Sequence, residues 1–168
     1  MDRPAIRTPN ELYAHAIAIE REAAETYAEL AQHMDELGND EVATLFRRLA
    51  VFEAEHLQTL EARTAGVALP ALKPGEYAWL DAGAPETVAR ELVYRLLTPR
   101  AALDIALDAE RRAQQFFAGV HATADDPALR AHAAATYALD PFTLARALVS
   151  DAARRARREA SARRRARA

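Results

Sequence analysis

Apolar side chains recur every three or four residues along most of this chain, a period that predicts helices and leaves no segment for strands. From Pro9 to about Met34 the recurring positions are Tyr13, Ala16, Ile17, Ala23, Ala24, Tyr27, Leu30 and Ala31. Thr8-Pro9 supplies an N-cap and a first-turn proline. Gly38-Asn39-Asp40 reads as a short turn. A second stripe, Val42, Leu45, Phe46, Leu49, Phe52, Leu57 and Leu60, predicts a helix from about Asp40 to Arg63 that Ala65-Gly66 ends. So short a turn makes these two helices antiparallel neighbours. Residues 67–84, with Pro70, Pro74, Gly75 and Gly83, read as an extended connection. Pro85 to Leu97 predicts a shorter helix through Val88, Leu92, Val93, Leu96 and Leu97. Thr98-Pro99 then caps a third long helix, to about Thr123, on Leu103, Ala106, Leu107, Ala113, Phe117 and Val120. Asp125-Asp126-Pro127 opens a fourth, with Leu129, Ala133, Tyr137, Leu144 and Leu148 on its face. Asp140-Pro141 either kinks that helix or restarts it, with Asp140 as cap.

The third helix repeats the first at an offset of 90 residues. Thr8-Pro9 matches Thr98-Pro99, Ala16 matches Ala106, Glu20-Arg21 matches Glu110-Arg111, Ala23 matches Ala113 and Tyr27 matches Phe117. Two helix pairs of one design, joined by a long crossover, have the connectivity of a ferritin-like four-helix bundle. The expected fold is therefore all-α, with a short extra helix in the crossover between helices two and three.

Composition narrows the picture. A chain of 168 residues is one domain or one domain with a tail. The periodic part, 8–150, is the bundle, and 151–168 is an Arg-rich extension. About a quarter of the residues are Ala, a helix-former's composition. There is no Cys, which excludes disulfides, zinc fingers, rubredoxin-type and Cys-ligated iron–sulfur sites and thiol catalysis, and fits a reducing, cytoplasmic setting. No apolar run is long enough for a membrane span. The opening residues, with Asp2, Arg3 and Arg7, lack the apolar core of a secretory signal. The net charge of -3 hides an asymmetry. Residues 151–168 carry eight Arg against Asp151 and Glu159, a net of +6, so the remaining 150 residues sum to -9.

Three helices each place a Glu in the middle of an apolar face: Glu20, Glu53 and Glu110. Glu53 and His56, at i and i+3, project to one side of their helix. Burying a carboxylate without a partner costs several kcal/mol, roughly, so converging acids need a cation. Carboxylate oxygens with an imidazole suit iron or manganese. A Glu from each of two helices and Glu-x-x-His from each of the other two is the di-iron carboxylate pattern.

At "AIEREAAETY" (Glu20, Tyr27), "LAVFEAEHLQTL" (Glu53, His56) and "ALDAERRAQQFF" (Glu110) the chain resembles the rubrerythrin-like branch of the ferritin superfamily, over roughly residues 8–150. The resemblance implies a di-iron site, often peroxide or oxygen chemistry, a homodimer and an electron-donor protein. It also implies a second Glu-x-x-His, on the fourth helix. Aligning Leu129 with Val42 puts Asp140-Pro141-Phe142-Thr143 there, and a register two residues shorter puts Ala138-Leu139-Asp140-Pro141 there. Position 113 is Ala where many rubrerythrins carry an additional Glu, and no rubredoxin module is present. The expected metal ligands are thus Glu20, Glu53, His56 and Glu110, with Asp140 as a weaker fifth, for one or two ions.

Each signal has a plainer reading. The acids could be solvent-facing, or the site a relic whose carboxylates pair with Arg or His, leaving a non-catalytic scaffold. Tyr27 could hydrogen-bond to a metal ligand or simply fill the core. Asp140 could be only a helix cap. His15, His33, His121 and His132 are expected as isolated surface or core histidines, and Tyr77 and Trp79 as packing residues. The Arg tail is expected as a solvated extension. Without an aromatic side chain for base stacking, it does not read as a sequence-specific nucleic-acid binder.

Overall fold

Helix punctuation accounts for the observed elements. The computed structural model describes residues 6–72 and 97–137, and within them there are helices and no strands. Helix α1 spans Pro9–Glu36, α2 Asp40–Arg63, α3 Pro99–Thr123 and α4 Pro127–Tyr137. Thr8 caps α1 by accepting from the Glu11 amide, while the Glu11 side chain accepts from the Thr8 amide, a reciprocal capping box. Thr98 caps α3 in the same way through the Ala101 amide, with Pro99 following. Between α1 and α2, the Asn39 amide donates to Met34 and the Gly38 amide to Asp35, closing a Schellman turn. Gly38 takes φ 72°, a conformation that glycine adopts without a Cβ clash.

The core divides at mid-height into two apolar clusters. One joins Ala23, Tyr27, Leu30 and Met34 of α1 to Val42, Phe46 and Leu49 of α2 and to Leu103 and Ala106 of α3. The other joins Leu12, Ala16 and Ile19 of α1 to Leu60 of α2, Ala113 and Phe117 of α3, and Leu129 and Ala133 of α4. The late part of α1 therefore meets the early parts of α2 and α3, so α2 and α3 run parallel to each other and antiparallel to α1. The early part of α4 sits beside the early part of α1, so α4 runs parallel to α1. This is the ferritin-like up-down-down-up order that a long crossover imposes.

The 90-residue repeat is physical. Ala16, Ala106 and Ala23 are fully buried, Ala113 nearly so, and Tyr27 and Phe117 are both core aromatics. Two asparagines tie the ends together. Asn39 donates to the Leu97 carbonyl at 2.7 Å, and Asn10 to the Ala68 carbonyl at 3.1 Å. Within 67–72 the connection is non-helical, as expected. The expected short helix over 85–97 (apart from Leu97), Tyr77, Trp79, Asp140-Pro141 and the Arg-rich 151–168 lie outside the described residues. No helix among the described residues is long and apolar enough to cross a membrane.

Phe46 is fully buried and stacked on Tyr27 at a centroid distance of 6.0 Å. Phe46→Ala should destabilise the protein by about 3–5 kcal/mol, whereas trimming exposed Val51 to Ala should cost less than about 0.5 kcal/mol. Urea midpoints for the two variants check this, and equal losses would refute the assigned core.

Candidate metal centre

The seam between the two apolar clusters is where the acids fall. On α1 the clusters meet between Ile19 and Ala23, on α2 between Leu49 and Leu60, and on α3 between Ala106 and Ala113. Those gaps hold Glu20, then Glu53 with His56, then Glu110. The spacing of three and four residues that keeps the apolar stripe inward keeps these residues inward too. Glu53 and Glu110 are buried, and Glu20 and His56 partly so.

Donor atoms of Glu20, Glu53 and His56 all lie within 4.8 Å of one another. His56 Nδ1 is 3.5 Å from Glu20 Oε2 and 3.6 Å from Glu53 Oε2. The Phe52 ring, one turn back along α2, lies against the imidazole at a centroid distance of 4.1 Å. Glu110 does not join this tight group, but its charge is felt by Glu53 across the seam. Four of the five candidate ligands are thus brought to one level of the bundle, three converged and Glu110 across the seam, while Asp140 lies outside the described residues.

The electrostatics show what the cluster lacks. Burial pushes the Glu53 carboxyl up to about 8; the nearby Glu20 and Glu110 charges push the same way, and the bond to His56 opposes them. Burial alone would lower His56, yet the bonds and charges of Glu20 and Glu53 outweigh it and raise the imidazole to about 10. At neutral pH a proton on His56 and another on Glu53 therefore offset the buried negative charge. Even so, Glu53 Oε1 is sealed from water without accepting a hydrogen bond. Buried acceptors left this way are costly, and a cation supplies what they lack. Two carboxylates and an imidazole, hard oxygen with borderline nitrogen, fit iron or manganese.

The other candidates fall elsewhere. Tyr27 lies two turns beyond Glu20, stacked on Phe46. Ala113, where a further Glu could have stood, is buried in the apolar cluster. His132 is a polar tie between helices: its Nδ1 meets the Tyr13 hydroxyl at 2.9 Å. His15 is buried, its Nδ1 donating to the Glu11 carbonyl at 2.6 Å, and burial lowers its pKa despite that bond. His33 and His121 are exposed. Sequence reasoning missed the Tyr13–His132 pair and the shielding by Phe52, because both residues of the stripe, Tyr13 and Phe52, read there only as apolar. A tyrosine hydroxyl reaching a fourth-helix imidazole leaves no periodic signal.

Comparison with known proteins agrees with the helical fold. The rubrerythrin family model matches residues 11–132. A crystal structure of an uncharacterized conserved protein from Magnetospirillum magnetotacticum MS-1 is 34% identical, covering 85% of this chain and 92% of its own, with a TM-score of 0.63. Among curated proteins nothing matches.

The raised pKa values set a pH dependence. Folding binds a proton to Glu53 more tightly than the unfolded chain does, so that contribution is complete below about 4.5 and lost as pH rises through about 8. For His56 it is complete below 6.5 and lost through about 10. The chelator-treated protein should therefore melt at progressively lower temperature from pH 6 to 9. Mn(II) affinity should rise over the same range, because the ion displaces those protons. Melting curves and titrations across that range check both trends, and a flat or opposite trend would contradict the assigned cluster.

Proposed function

The chain belongs to the rubrerythrin family, and from that premise we propose that it binds iron, with manganese as a substitute, on Glu20, Glu53 and His56, with Glu110 supplying the carboxylate from α3. The observation that carries this reading is the buried Glu53 Oε1, which has no hydrogen-bond partner, on a carboxylate with an oxygen within 4.8 Å of Glu20 and His56 donor atoms. Asp140 is the sequence's candidate from the fourth helix.

When bound, the metal supplies Lewis acidity and a redox couple. The chain supplies the rest. Glu53 and His56 release protons to become ligands. Phe52 covers one side of the imidazole, and the apolar clusters above and below the seam limit water. Glu110 holds negative charge opposite the α1–α2 ligands. The proposed activity is that of an oxidoreductase handling peroxide, supported by family membership and by this donor set.

A second reading has its own observation. His56 lies between Glu20 and Glu53, so its proton can serve as the internal cation of a metal-free scaffold. The two readings differ in linkage. A ligand that binds only the folded state must raise its stability, by about 2.7 kcal/mol at a hundredfold excess over Kd.

Glu53→Gln separates the readings. It removes the ionisable acid while keeping the shape, so the chelated variant should melt close to the wild-type temperature at neutral pH, where Glu53 is protonated, and should lose less stability than the wild type as pH rises to 9. The same variant, and His56→Ala, should lose the Fe(II)- or Mn(II)-induced rise in melting temperature and the metal-dependent consumption of hydrogen peroxide. A wild-type protein whose melting temperature ignores both metals would support the scaffold instead.

A further inference from the structure

We infer that the centre holds one metal ion per chain, not the pair that the family pattern of two matched halves would accommodate. This rests on the metal-binding reading above and specifies it.

The imidazole inventory is complete, because all five histidines of the chain lie within the described residues. His15 is tied to the Glu11 carbonyl one turn away, and His121 to the Arg130 carbonyl. His33 is exposed beside Glu36, and His132 is engaged by Tyr13. Only His56 stands at the seam. A second ion would have no nitrogen ligand.

The carboxylate inventory points the same way. At the level of the seam, among the described residues, stand Glu20, Glu53 and Glu110. Ala113, one turn along α3 from Glu110, is 3% exposed and belongs to the apolar cluster of Leu12, Leu60 and Phe117. Two ions roughly 3.5–4 Å apart are held by carboxylates that bridge them and others that cap each one. Here the donors converge as a single group of three, all within 4.8 Å, on the α1–α2 side.

The fourth helix of the sequence adds little: between Pro127 and Ser150 it holds one acid, Asp140, and one imidazole, His132. The donors brought together therefore suit one ion, with its remaining coordination positions open to water or a small oxygen ligand.

The test titrates metal-free, full-length protein with Mn(II), measuring bound metal per chain by elemental analysis and its magnetic state by electron paramagnetic resonance. The expected result is one Mn(II) per chain, with the six-line spectrum of an isolated ion, lost in Glu53→Gln. Two ions per chain with a spin-coupled spectrum would overturn this inference while leaving the metal-binding reading intact. No binding, or binding that Glu53→Gln leaves unchanged, would remove the metal-binding reading and this inference with it.

Discussion

A carboxylate in the middle of a helical bundle must be neutralised, and the arrangement around Glu53 follows from that constraint. Its residue is 1% exposed, and it shares its level with two more acids from other helices. Apolar packing above and below strengthens every charge interaction inside, attractive or repulsive. Protons on Glu53 and His56 answer part of the demand. On the proposed reading a metal ion would answer it more fully, in competition with those protons.

Much of this was legible in the sequence, because the fold is written in a period of 3.6. The start and end of α2 and α3 and the start of α1 stand where the caps and the Gly38 turn put them; α1 runs two residues further than its apolar stripe, to Glu36. The residues of the candidate site were legible for a related reason: Glu20, Glu53 and Glu110 interrupt stripes that are otherwise apolar, and a charge at a core position needs an explanation. Contacts that depend on the relative height of separate helices were not legible. Tyr13 meets His132 across 119 residues, and Asn39 reaches Leu97 across 58. No local pattern encodes such pairs, because they are set by how the helices stack.

The two halves of the repeat share a scaffold and divide the work. Thr8 and Thr98, Ala16 and Ala106, and Tyr27 and Phe117 hold equivalent structural places. The chemistry is one-sided: α1 and α2 contribute both members of the Glu/His pair and a further Glu, while α3 contributes Glu110 and then an alanine. Membership of the family fixes the architecture, and the buried Ala113 leaves Glu110 as the acid that α3 offers at this level.

The tight Gly38 turn has a kinetic side as well. It closes α1 and α2 into a hairpin, and Glu20, Glu53 and His56 all sit on that hairpin. Only 36 residues separate the outermost of them. Loops of this length close with little entropic cost, and local contacts form early in folding. A nascent hairpin emerging during synthesis thus already carries three of the four residues of the proposed centre before α3 and α4 are made.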